Sequence, residues 1–176
     1  MKIRSILLGL LTVLYAVTPA LAVPTDITVR IRSKDGKFVG DSMGGILITI
    51  RDMATGELLA KGTTSGTTGD TGIIMKIVNP RGKPISDDKA AKFTATIDIE
   101  EPRHIEVSAY GPLVNLQAAN KVSATQWVVP GKHITGGDAW MIELPGFAVD
   151  VQDPPTNIKL KGLPRDIKLE ANVVMM

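Results

Sequence analysis

The sequence predicts an all-β protein, an antiparallel β-sandwich of roughly eight to ten strands following a cleavable leader. Three observations predict it. Apolar and polar residues alternate with a period of two along much of the chain, as in residues 27–31 and 93–99. Glycine and proline clusters fall between the alternating runs. No stretch carries a sustained helical period.

The first element is an address rather than a strand. Lys2 and Arg4 precede an apolar run over residues 6–17, broken only by Gly9 and Thr12. Pro19 interrupts any helix, and Ala20 and Ala22 put small residues where a signal peptidase reads them, so the expected cut lies between Ala22 and Val23. A membrane-spanning helix would need roughly 20 mostly apolar residues, and Pro19 falls inside that length. No cysteine follows Ala22 to take a lipid. The expected organisation is therefore a signal peptide at 1–22 and one domain at 23–176, exported to the periplasm, the exterior or the cell surface, with no membrane span after the leader is removed.

Strands are then expected in chain order. Ile27, Val29 and Ile31 alternate with Thr28, Arg30 and Arg32. Residues 46–50 alternate less strictly, because Leu47 interrupts. Residues 73–78 form a short apolar run. Phe93, Ala95, Ile97 and Ile99 alternate cleanly, followed by runs at 105–109, 127–129, 140–144, 147–151, 158–160 and 167–174. Turn chemistry separates them: Asp35-Gly36, Thr55-Gly56, Asn79-Pro80, Pro130-Gly131, Gly136-Gly137-Asp138, Pro145-Gly146 and Asp153-Pro154-Pro155. Helix is expected only at 86–92 and 113–123, and the second reads equally well as a loop. Pro24, Pro102, Pro155 and Pro164 each stand three residues before an isoleucine, a spacing that marks strand entry. The last two predict a closing hairpin.

Composition removes several function classes. The chain carries 20 Lys+Arg and 18 Asp+Glu, a formal charge of +2, and both excess cations, Lys2 and Arg4, lie in the leader. The remaining 154 residues hold 18 of each sign and are formally neutral. Nucleic-acid binding by a basic surface loses its basis. With no cysteine there is no disulfide, thiol nucleophile or Cys-ligated metal. No Asn-x-Ser/Thr acceptor occurs.

Ile48, Ile50 and Asp52, the Thr55-Gly56 turn, Leu58 and the loop ending at Gly72-Ile73 resemble one half of a prealbumin-like, Ig-like module. Cna B-type adhesin repeats and carboxypeptidase regulatory-like domains are built this way. The match covers residues 46–73, and the aromatic common after the loop glycine is replaced by Ile73 and Ile74. The resemblance implies a β-sandwich and an accessory or surface role. It implies no cofactor. Some adhesin modules carry a Lys–Asn isopeptide bond, but Lys34, Asn172 and Glu170 match no signature for it.

Candidate chemistry is sparse. Residues 66–72, with three glycines, lack both the Gly-Lys-Ser/Thr ending of a phosphate loop and dinucleotide spacing, and read as a flexible inter-strand loop. His104, on a polar strand phase, and His133, in a turn, are the two histidines; with Met176 they form the candidate copper site, because imidazole and thioether both suit copper. His133 with Asp138 forms the candidate catalytic pair of a small hydrolase, unaccompanied by a nucleophile motif. Paired aspartates at 87–88 lack the alternating oxygen ligands of a calcium loop. Trp127 and Trp140 lie in apolar runs and are expected in the core. The C-terminal segment 171–176 is apolar, apart from Asn172, and is expected to be a buried last strand, with an edge for pairing or a chain that stops short of its natural end as the alternatives. The leading expectation is a non-catalytic exported module that works through a protein partner or self-association.

Overall fold

The computed structural model describes residues 21–159, 161–162 and 164–176. Most of the expected leader, including Ala20, lies outside the described residues, as do Leu160 and Leu163. Ala22 is exposed, and Val23 opens the first strand.

The protein is an all-β sandwich with nine strands among the described residues. They are β1 (Val23–Ser33), β2 (Leu47–Asp52), β3 (Leu58–Thr63), β4 (Phe93–Ile99), β5 (Arg103–Gly111), β6 (Asn120–Val128), β7 (Trp140–Leu144), β8 (Phe147–Asp153) and β9 (Glu170–Met175). One sheet has the order β4-β1-β7 and the other β3-β2-β5-β6, while β8 and β9 form a separate two-stranded ribbon. Pairing is antiparallel except between β1 and β7, which run parallel, with Val29 beside Trp140 and Ser33 beside Leu144.

The expected alternation builds the core. Ile27, Val29 and Ile31 of β1 meet Ile97 and Ile99 of β4, Trp140, Ile142 and Leu144 of β7, and Ile48, Ile50, Ile105 and Val107 from the facing sheet. At the sandwich edge Phe93 lies over Gly62 of β3, where a Cβ would collide with its ring.

The outer face of β1 is also covered. Thr28 and Arg30, on the polar phase, are buried. The long connection from β3 to β4 folds back over them, and its Ile74, Ile85, Ala90 and Ala91 make a second small core with Phe38 of the β1–β2 connection. Arg30 reaches into it, donates to the Ala90, Ala91 and Asp87 carbonyls, and lies 5.8 Å from the Phe38 ring. Burial lowers its pKa against the opposing pull of Asp138, Asp87 and Asp88.

Several sequence expectations are corrected here. The run at 73–78 is not a strand: a short helix α1 (Thr71–Met75) stands there, capped by Asp70, whose carboxylate accepts the Gly72 and Ile73 N–H groups at 2.7 and 3.1 Å. The glycine-dense loop before it is tied down by bonds between Thr67 and both Lys89 and Ala91. Residues 86–92 form an Asp87-capped turn instead of a helix. Residues 113–123 hold a single 3-10 turn (Leu116–Ala118), and β6 begins at Asn120. No strand forms at 158–159 or 167–169, so the closing hairpin is absent; β9 pairs with β8 instead. Pro24 lies inside the exposed start of β1 and not before it.

Candidate functional site

Two surface features stand out from this frame. The first begins at the β2–β3 turn. Asp52 ends β2 and points its carboxylate into the turn, accepting the Ala54 and Thr55 N–H groups at 2.7 and 3.1 Å. Gly56, at φ +74°, completes the turn in the left-handed region that glycine adopts without penalty. Arg103, at the start of β5, places one guanidinium nitrogen 3.2 Å from Asp52 Oδ2 and 3.3 Å from Glu57 Oε2. The Thr55 backbone hydrogen bond, with help from Ala54 and Arg103, holds the Asp52 carboxyl below the usual carboxylate range despite its burial. That carboxylate is fully engaged and ionised, which suits it to holding a turn and not to taking protons near neutral pH.

On the outer face of the same sheet, His104 of β5 pairs directly with Trp127 of β6, and the two rings stack with centroids 5.2 Å apart. Trp127 is 66% exposed, so the expectation that it is core is corrected. The outward phase of Lys121, Ser123 and Thr125 carries it to the solvent side, while Val122, Ala124 and Val128 face the core. Trp127, His104, Arg103, Glu57 and Glu101 border a shallow cleft of about 400 Å³.

The second feature is the β8–β9 ribbon. Phe147 pairs with Met175, Val149 with Val173, and Val151 with Ala171. Residues directly opposite one another share a face. These six side chains therefore form one continuous apolar face, and all six are exposed, Phe147 by 55% and Val173 by 57%. The other face turns inward at Ala148. The ribbon is anchored at both ends. Met176 is buried in the sandwich core, its N–H donates to Gly146 at 3.0 Å, and its carbonyl accepts the Ser33 hydroxyl. Gln117 bonds both backbone groups of Val151 on the outer edge of β8.

No known protein family, curated protein or solved structure matches the chain.

The three candidate metal ligands stand apart. His104 is stacked on Trp127 in the four-stranded sheet. His133 lies beside the start of β1, where its Nδ1 accepts the Asp26 N–H at 3.0 Å and faces the Asp26 carboxylate at 3.4 Å. Met176 packs at the far end of the same strand, next to Ser33. Asp26 and Ser33 are seven residues apart on β1, a span of about 23 Å at 3.3 Å per residue. Among the described residues no cluster of three or more His, Cys, Asp or Glu side chains could hold a metal ion. His133 and Asp138 have separate partners too: the Asp138 carboxylate accepts the Ile85 and Ser86 N–H groups at 3.0 and 2.8 Å and fastens the loop that covers β1. Sequence reasoning saw the apolar end of the chain but not the face it makes with β8, because the pairing joins residues well separated along the chain, from Asp153 with Glu170 to Phe147 with Met175. Among the described residues no helix is long and apolar enough to cross a membrane.

Proposed function

We propose that this protein is an exported, non-catalytic β-sandwich that works by protein contact, using the β8–β9 ribbon as its contact surface. One observation carries the reading: six apolar side chains share one exposed face with no charged residue among them. Protein surfaces seldom leave a contiguous apolar patch above a few hundred Å² uncovered, and patches of that size mark interaction sites. The prealbumin-like likeness supports an accessory role, since its Asp52, Thr55 and Gly56 make the tight hairpin turn that such modules share. The leader at 1–22 supports export.

Val149→Asp tests the reading. The side chain is exposed, so the substitution leaves the melting temperature within a few degrees of the parent. Sedimentation velocity and in situ crosslinking of the full-length product recovered from cells should show the parent in a defined complex, with itself or with a partner, and the variant as a monomer. A parent that is monomeric and partnerless, or a variant that keeps the same complex, overturns the proposal.

A further inference from the structure

The free edge of β9 narrows what that contact is. In an antiparallel ladder, residues alternate between those whose N–H and C=O face the partner strand and those whose groups face outward. Two observations fix the phase here. Met176 N–H bonds to Gly146 O, so the even-numbered β9 residues face β8. Val151, an odd-numbered β8 residue, turns both its backbone groups away from β9 to Gln117. The backbone N–H and C=O groups of Ala171, Val173 and Met175 therefore point away from β8. Among the described residues nothing pairs with that edge.

Edge strands are normally blunted by charge, proline or a bulge. Residues 171–175 carry no charge and no proline, and the one irregularity of the ribbon, between Val151 and Asp153, lies on the other strand. The edge is also complementary to itself. Its three outward residues are centred on Val173, so a two-fold axis there sets Val173 against Val173 of a second copy and Ala171 against Met175. Every outward N–H then finds a carbonyl. Small Ala171 sits beside long Met175, and the charged Lys168 and Glu170 fall at or beyond the ends of the paired segment.

Resting on the contact reading above, we propose that β9 pairs antiparallel with β9 of a second copy about a two-fold axis at Val173. The product is a four-stranded sheet in the order β8-β9-β9-β8, and the two apolar faces join into one strip. The closed symmetry ends this pairing at two copies, because each copy spends the free edge of β9 on the other.

The absence of cysteine makes the test direct, since a single introduced thiol has no partner within its own chain. Across a hydrogen-bonded antiparallel pair the Cα atoms lie about 5.5 Å apart, inside the roughly 4.4–6.8 Å range that a disulfide spans. Val173→Cys full-length protein, oxidised in solution, should convert to a covalent dimer. Ala171→Cys and Met175→Cys alone should not, because each residue lies about 13 Å from its own copy, four strand residues along. An equimolar mixture of those two variants should crosslink to each other. The positions are exposed, and unchanged circular dichroism and melting confirm the fold. Failure of Val173→Cys to crosslink overturns the proposal, as does self-crosslinking of Ala171→Cys or Met175→Cys at the same rate. If the edge takes an extended segment of a different protein, no variant self-crosslinks, while Val149→Asp still abolishes the complex. That outcome overturns this inference and leaves the contact reading standing.

Discussion

Asp52 shows how much one carboxylate can organise. It satisfies two backbone N–H groups of the β2–β3 turn and anchors Arg103, which in turn reaches Glu57. Its folded-state pKa is depressed, so its contribution to stability is present above the ordinary carboxylate pKa and is lost as the pH falls through the folded value. Asp52→Asn should therefore lower the melting temperature at pH 7, and the gap from the parent should shrink toward zero as the pH is taken below about 4. Melts across that range measure it; a gap independent of pH would show that the charge plays no part. Trp127 makes the opposite point. Its apolar neighbours Val128 and Val129 mark the segment as core, yet the side chain is on the solvent side, because its strand begins seven residues earlier and its phase is set by Val122 and Ala124.

At the scale of elements, strands with large apolar inward residues were legible from sequence: β1, β4 and β7 lie where the alternation puts them, and most of β8 was found by the same alternation although its valines face outward. β6 was not, because its inward positions include small Ala124 and polar Gln126, which weaken the period. The helix at Thr71–Met75 was misread for a related reason. Ile73 and Ile74 look like strand, but Asp70 supplies two hydrogen bonds to the backbone and Ile74 turns into the second core. The covering loop depends on Asp138, some fifty residues away in sequence, which no local pattern shows. Asp138→Ala should leave the Ile85 and Ser86 N–H groups without their acceptor and loosen the loop. Trypsin should then cut faster after exposed Arg81 while the sandwich persists, as read by gel and mass spectrometry over time. Unchanged cleavage would assign the loop's order to the Phe38–Ala90 packing alone.

For the whole molecule, fold class was read correctly because nearly all its core comes from period-two strands, while strand order and the parallel β1–β7 pair depend on contacts between distant segments. The candidate site was legible only as an apolar chain end; the face and its free edge appear once β8 and β9 are paired. Export belongs at this scale as well. Intact-mass measurement of the protein recovered from its own cells and their medium should give a product beginning at Val23, and a retained Met1 would refute the leader.

The position of β1 has a consequence for how the chain is completed. It is the first strand of the described residues to be made, yet it is the central strand of its sheet, flanked by Phe93–Ile99 and Trp140–Leu144, and its last residue, Ser33, donates its hydroxyl to the Met176 carbonyl. One neighbour, β4, is made about midway along the chain, and the other, β7, and the Met176 contact come later still. β1 has no sheet partner until some sixty residues beyond Ser33 have been made, and its sheet closes only when β7 follows, a late, long-range event. Such an order of assembly leaves the first strand extended and postpones compaction while the rest of the sandwich is made.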